Sequence, residues 1–185
     1  MRPIFIILSR KQKMARAHQK MARYFVACAT LIRATHGYLT KKMEKIFFKL
    51  SVIDDYPPVS SESVWAEKIS PTEMCIKNIP FYENEANLDD LVQVVPGQDG
   101  ENIFQQIITP SGNSTIRIVF LEPVHTEINR VLETIVAIGC SWEGGSESFY
   151  SINVPEQTSL DDLVEFLVPE SESGLLECEY GLIRQ

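Results

Sequence analysis

The best candidates for catalysis in this sequence are His125 and two cysteines. His125 lies at the expected start of a helix, where the positive end of the helix dipole disfavours a protonated imidazole and suits a neutral base. Cys140 or Cys178 could complete a Cys-His pair. Both cysteines fall on expected strands, however, where a small buried side chain is the usual role, and a histidine at a helix start is usually a surface residue. We therefore expect no catalytic residues.

Known catalytic and ligand-binding motifs support the same interpretation. The chain has no G-x-S-x-G elbow, no glycine-rich phosphate loop, no EF-hand and no H-E-x-x-H pattern. The sequence leaves enzymatic activity open but favours a protein without it.

Three pairs of adjacent carboxylates could bind a hard cation: Asp54-Asp55, Asp89-Asp90 and Asp161-Asp162. Adjacent acids on a strand point to opposite faces, whereas a calcium or magnesium site needs several oxygens that converge. Roles in turns and helix caps explain these pairs better. We therefore expect neither a metal ion nor a cofactor.

Arg117 is the residue that most suggests binding. It stands in the middle of an expected strand, in a region with few basic residues, so it should have a specific partner. One partner is an acid such as Asp90. The alternative is an anion held by Arg117 together with backbone N–H groups of the turn at residues 111–114. These arguments give a candidate binding set: Arg117, Ser111, Asn113, Ser114, Asp89 and Asp90.

The elements that position these residues begin with a β-rich segment, residues 43–110. Aromatic and β-branched residues predict strands at 46–52, 64–69, 74–79, 91–95 and 103–109. Proline and glycine turn signals separate them. This pattern predicts a small subdomain built as a barrel-like or curled sheet.

Residues 111–185 predict a second subdomain with the order β-α-β-β-α-β. A strand at 114–121 leads to a helix at 126–138, and a hairpin then turns across Gly144-Gly145. A second helix, capped by Ser159, precedes a last strand at 175–182. This is the ferredoxin-like pattern, in which both helices cover one face of four antiparallel strands. The expected fold class is therefore α+β.

The charge of the chain is divided into two blocks. Residues 1–42 hold ten Lys or Arg and no acid, whereas residues 43–185 hold seven Lys or Arg and all 25 acids, a formal charge of 7 − 25 = −18. Apolar periodicity predicts a basic helix at 11–35 within the first block. Three explanations stay open for this extension. It is a helix on an anionic membrane, an arm folded onto the acidic body, or a non-native segment preceding a true start at Met43.

Several short motifs of the acidic body form a recognisable set. They are VWAE at 64–67, NIPF at 78–81, LDDLV at 88–92, SGNSTIR at 111–117, Gly139, and INVP at 152–155. Over residues 46–181 the chain resembles a bacterial family catalogued as domain of unknown function four-two-six-five. That pattern has Gly-Asp where this chain has Leu88-Asp89, which weakens the expectation of a tight turn there. The resemblance implies domain limits but no activity.

Charge then favours a non-enzymatic binding protein. Acidic surfaces steer association with basic proteins, and one such role is an immunity or neutralising protein for a basic toxin or nuclease. The alternative is a small-ligand-sensing regulatory module, since ferredoxin-like sheets often pair to form ligand clefts. We expect no direct nucleic-acid binding by the body, because each phosphate contact needs a cation.

Compartment and assembly follow from simpler signals. No apolar run reaches the ~18 residues of a membrane helix. The four cysteines are widely spaced and form no CxxC motif, which favours reduced thiols in the cytoplasm. Exposed strand edges would permit a homodimer.

Overall fold

The structure, a computed structural model, describes residues 42–185. The basic helix predicted at residues 11–35 lies outside the described residues. Neither helix in residues 42–185 has the length and apolar character needed to cross a membrane. The elements are β1 (Met43–Lys49), β2 (Ser61–Lys68), β3 (Glu73–Ile76), β4 (Leu91–Pro96), β5 (Asn102–Thr109), β6 (Ser114–Phe120), α1 (His125–Ile138), β7 (Ser141–Gly144), β8 (Phe149–Val154), α2 (Leu160–Glu172) and β9 (Leu176–Tyr180).

The first five strands close into a barrel. Consecutive strands pair antiparallel, and β1 also pairs with β5 in parallel, which joins the two ends of the sheet. Two register shifts between β4 and β5 bend these strands and help so small a sheet to close. Alternate residues point inward and form the barrel core: Ile46, Phe48, Val64, Ala66, Met74, Ile76, Val92 and Val94.

The last four strands form an antiparallel sheet in the order β7-β8-β6-β9. One face of this sheet packs against both helices in a single apolar core. The helix α1 is capped at its C-terminal end by Gly139, whose φ of 103° suits a residue without Cβ. The helix α2 begins after Ser159, whose hydroxyl accepts the backbone N–H of Asp162 at 3.2 Å.

The central strand β6 is buried along its whole length. The side chains of Ile116, Ile118 and Phe120 face the helices. The opposite face, which carries Thr115, Arg117 and Val119, lies beneath residues 77–90, the segment that connects β3 to β4. This connection joins the barrel to the sheet, and it places the polar face of β6 in the interior.

An α+β fold with a curled five-strand sheet and a second, helix-covered four-strand sheet is therefore confirmed. Each strand predicted after residue 42 is present, with boundaries displaced by three residues at most. The capping role predicted for Ser159 is also confirmed.

The helix-covered core supplies a test of the fold. Leu163 on α2 is fully buried, so Leu163→Ala should lower the free energy of unfolding by about 2–5 kcal/mol through lost burial and a new cavity. Val168 lies on the same helix but is exposed over 46% of its surface, so Val168→Ala should change stability by less than about 0.5 kcal/mol. Urea denaturation followed by circular dichroism measures both. Equal losses would show that α2 does not pack as described.

Candidate protein-binding surface

Arg117 is completely buried between the barrel and the sheet. Its Nη1 donates to Glu179 Oε1 at 3.0 Å and to Asn84 Oδ1 at 2.9 Å, and its Nη2 donates to the carbonyl of Glu83. Glu179 stands directly opposite Arg117 in the pairing of β6 with β9. Arg117 therefore has the ion pair with an acid that was expected, but Asp90 is the wrong acid, because strand register places Glu179 beside it.

Tyr56 extends the Arg117 cluster into a second barrel connection, the segment between β1 and β2. Its hydroxyl donates to Glu179 Oε2 at 2.5 Å. Burial, together with the charge of Glu179, raises the pKa of Tyr56 well above its usual value. Glu179 thus binds Arg117 through one oxygen and Tyr56 through the other.

Asp90 pairs with Arg184. The two guanidinium nitrogens donate to the two carboxylate oxygens at 2.6 and 2.8 Å, a bidentate geometry that favours a planar guanidinium. Asp90 is fully buried and also accepts the backbone N–H groups of Asn87 and Ser111, both at 2.7 Å. The Asp90 carboxylate therefore joins the end of the 77–90 segment, the turn before β6 and the C-terminal segment.

The turn at residues 111–114 is committed to internal hydrogen bonds. The N–H of Ser111 binds Asp90 at 2.7 Å, and the N–H of Asn113 binds Ser111 Oγ at 3.2 Å. Ser114 Oγ accepts the N–H of Arg184 at 3.0 Å. The structure thus brings Ser111, Asn113, Ser114 and Asp90 together without Arg117. These contacts give the turn a structural role. They also occupy backbone N–H groups that a bound anion would need.

Asp89 lies outside this buried junction. It adopts a φ of 65° in a turn in which the N–H of Asp90 meets the carbonyl of Asn87 at 3.2 Å. A turn is therefore present at Leu88-Asp89 even without the glycine of the family pattern, since aspartate tolerates this backbone region. Asp89 also pairs with Lys77 at 2.6 Å on the surface.

Two carboxylates anchor the 77–90 segment over the sheet. Glu62 on β2 accepts the consecutive N–H groups of residues 81, 82 and 83 at 2.6, 2.9 and 2.8 Å. Glu143 on β7 accepts the N–H of Ile79 at 3.0 Å and Asn78 Nδ2 at 2.8 Å. Burial raises the pKa of Glu143 and that of Glu83.

The remaining candidates take the plain roles that the sequence favoured. His125 is an exposed residue at the start of α1. Burial raises the pKa of the Cys140 thiol to about 11, and burial with the charge of Glu177 raises that of Cys178 to about 12, so neither thiol is a ready nucleophile.

The carboxylate pairs form no ligand cluster. Asp54 and Asp55 both have positive φ in a tight turn, and Asp161-Asp162 lies in the first turn of α2. In residues 42–185, no three His, Cys, Asp or Glu side chains converge on a point where they could hold a metal ion.

Sequence reasoning missed the partners of both arginines. No sequence motif indicated the residues that pair at this junction: Arg184, Tyr56, Asn84 and Glu179. Arg184 could have been found by the argument applied to Arg117, because a rare arginine in an acidic body calls for a carboxylate.

The solvent side of the helix layer carries more acids than bases. Residues 131–183 contain eleven Asp or Glu and no Lys, Arg or His. Arg130, which borders this stretch, is already paired with Glu127 at 2.9 Å and Glu170 at 2.8 Å. We call the exposed helix acids the acidic surface: Glu133, Asp161, Asp162, Glu165 and Glu172. Because the arginines of residues 111–185 all have carboxylate partners, none of them neutralises it.

The role of Arg117 can be tested against a surface arginine. Arg117→Ala removes the partner of a largely buried carboxylate and should lower the free energy of unfolding by about 3–5 kcal/mol. Arg130→Ala breaks ion pairs at a side chain that is 46% exposed, and should cost at most about 1 kcal/mol. Chemical denaturation compares the two variants. Similar small losses would contradict a joining role for Arg117.

The buried acids predict how stability depends on pH. A raised carboxyl pKa means that the folded state binds the proton more tightly, so this contribution is present below the unfolded pKa and is lost as pH rises through the folded value. The free energy of unfolding should therefore increase as the pH falls from above towards the ordinary carboxyl value of 4.5. In Glu143→Gln, the free energy of unfolding should depend less steeply on pH than in the wild type, because one of these buried acids has been removed.

Glu44 provides the matched control for the pH prediction. A hydrogen bond from Lys42, with further contacts, holds the pKa of Glu44 at about 2, against an ordinary value of 4.5. Its stabilisation is present above the ordinary value and is lost as pH falls from 4.5 towards 2. Glu44→Gln should thus leave the slope above about pH 5 unchanged. A slope in Glu143→Gln identical to that of the wild type would refute the prediction.

Comparisons with known proteins place the chain in a family. No curated protein matches it. A solved structure, "Novel crystal structure of a hypothetical protein from Neisseria gonorrhoeae", is similar at a TM-score of 0.65 and 21% identity, covering 81% of this chain and 99% of that chain. Identity at this level shows a shared fold alone. A family model described as "Domain of unknown function (DUF4265)" matches residues 62–178, which lie inside the range 46–181 given for the resemblance, and the chain therefore belongs to the DUF4265 family.

Proposed function

We propose that this protein is a non-enzymatic binding protein whose acidic surface holds a basic protein partner. The observation that carries the proposal is the run of 53 residues, 131–183, with eleven acids and no cation. Five of these acids are exposed on the two helices. An immunity or neutralising protein for a cationic toxin or nuclease would have a surface of this kind.

Electrostatics gives the surface its selectivity. Uncompensated carboxylates on a rigid layer raise the rate of encounter with a positive patch, and they oppose contact with nucleic-acid phosphates. The two helices are packed on one core, and the Arg130–Glu170 pair joins them, so their acids keep a fixed arrangement. A fixed arrangement loses less conformational entropy on binding.

The proposal extends to the fold and the compartment. The strand order β7-β8-β6-β9, with helices after β6 and β8, supports a ferredoxin-like description of residues 111–185. Free thiols at Cys75, Cys140 and Cys178 support a reducing compartment such as the cytoplasm.

The position of the acids, and not their number, should decide binding. The triple variant Glu133→Gln/Glu165→Gln/Glu172→Gln should weaken the affinity for a basic partner roughly tenfold. Each charge at an interface rim contributes on the order of 0.5 kcal/mol to binding. The partner is captured from the native host at low salt and eluted with a salt step, and its dissociation constant is then measured by calorimetry.

A second triple variant removes the same charge elsewhere. Asp55→Asn, Glu85→Gln and Asp99→Asn are exposed substitutions in the barrel half, and together they should leave affinity within about twofold. If both triple variants weaken binding of the partner equally, net charge alone explains the loss of affinity. That result would contradict the proposed surface. Failure to capture a basic protein, with thermal stabilisation by a metabolite, would favour the ligand-sensing alternative. In that case the shallow groove of about 550 Å³ beside Glu156, Asp161 and Gln185 is the place to look.

A further inference from the structure

Trp142 is an exposed aromatic residue within the acidic part of the chain. It lies on β7, an edge strand of the four-stranded sheet, and 39% of its surface is open to solvent. Large aromatic side chains at a protein surface are the commonest anchors of protein interfaces. Trp142 therefore stands out from the carboxylates, which supply charge but little contact area.

Neighbouring rings hold the indole of Trp142 in place. Tyr150 on β8 meets it edge to face, with ring centroids 5.5 Å apart, and Tyr150 meets Phe120 on β6 in the same way at 5.8 Å. The hydroxyl of Tyr150 donates to the carbonyl of Glu147 at 3.3 Å. A ring fixed in this way loses little freedom when a partner covers it.

The electrostatic surroundings of Trp142 favour a cation. Burial and the charge of Glu147 raise the pKa of Tyr150, the ring in contact with Trp142. No Lys, Arg or His occurs in residues 131–183, so this stretch provides no cation of its own for the indole. The face of a tryptophan ring attracts ammonium and guanidinium groups, most strongly where the local field is negative.

The second tryptophan shows what Trp142 lacks. Trp65 on β2 is exposed to a similar extent, 48%, but the ammonium group of Lys45 lies 5.5 Å from its ring centroid. In the barrel, Lys45 thus provides an internal cation for the exposed ring of Trp65. Among the described residues, no corresponding cation is found over Trp142.

We propose, building on the proposed function, that Trp142 is the anchor of the interface and binds an arginine of the basic partner by a cation–π contact. Arginine fits better than lysine, because its planar guanidinium stacks on an aromatic face and is more weakly hydrated than an ammonium group. The acidic surface attracts the partner, and Trp142 then fixes where it docks.

The test uses fluorescein-labelled nona-arginine as the probe and the full chain at low salt. Fluorescence anisotropy measures affinity for the wild type, Trp142→Leu and the matched control Trp65→Leu. We expect Trp142→Leu to weaken nona-arginine binding roughly fivefold and Trp65→Leu to stay within about twofold. Nona-lysine should bind more weakly than nona-arginine to the wild type, and Trp142→Leu should remove most of that difference. Thermal melting shows whether both variants fold.

Tryptophan emission gives a second measurement that does not depend on Trp142→Leu folding. The chain has two tryptophans, so in Trp65→Phe the emission comes from Trp142 alone, and unlabelled nona-arginine should change it. The wild type could bind in a salt-dependent manner while the two leucine variants have equal affinities, or while the emission of Trp65→Phe does not change. Either result would overturn Trp142 as the anchor but leave the proposed acidic surface standing. Absence of salt-dependent binding by the wild type overturns the proposed function itself.

Discussion

The guanidinium of Arg117 lies wholly inside the protein, where a charge is tolerated only if carboxylates and carbonyls surround it. Those groups come from three separate places: β9 supplies Glu179, the 77–90 segment supplies Asn84 and the carbonyl of Glu83, and the β1–β2 connection supplies Tyr56 through Glu179. The hydrogen bonds of the two terminal nitrogens of Arg117 therefore fix how the barrel and the sheet meet. The Asp90–Arg184 pair fixes a second point of the same junction.

A polar junction has a different effect from an apolar one. The stabilisation from apolar packing is roughly proportional to the buried area, so apolar surfaces can slide past each other. Bidentate ion pairs and paired strands, in contrast, fit together in one register. In this protein the face of β6 that turns away from the helices carries Thr115 and Arg117, and each has a hydrogen-bond partner in the 77–90 segment. The arrangement favours a single relative position of the two halves, which in turn keeps the acidic helices and Trp142 on a rigid support.

Local pattern made the elements predictable, but not their partners. Alternating apolar residues in β1 to β4, the stripe on α1 and the cap at Ser159 are short-range signals, so strands and helices followed from the sequence. Arg117 was recognised as a residue that needs a partner, but its pairing with Glu179 depends on the β6–β9 register. Arg184 had no local signal, and the closure of the barrel by parallel pairing of β1 with β5 is likewise a long-range fact. Trp142 fell on a predicted hairpin, yet its exposure and its ring contacts depend on how the sheet is ordered.

The contacts of the junction join residues far apart in the chain. Tyr56 and Glu179 are 123 positions apart, and Asp90 and Arg184 are 94 apart. During synthesis on a ribosome, the barrel strands emerge first and remain without Glu179 and Arg184 until the last strand has left the exit tunnel. Until then Tyr56 lacks the carboxylate of Glu179, and Asp90 lacks the guanidinium of Arg184. The contacts of Tyr56 with Glu179 and of Asp90 with Arg184 can therefore form only after translation of the domain is nearly finished, and contacts of such long range are slow to form.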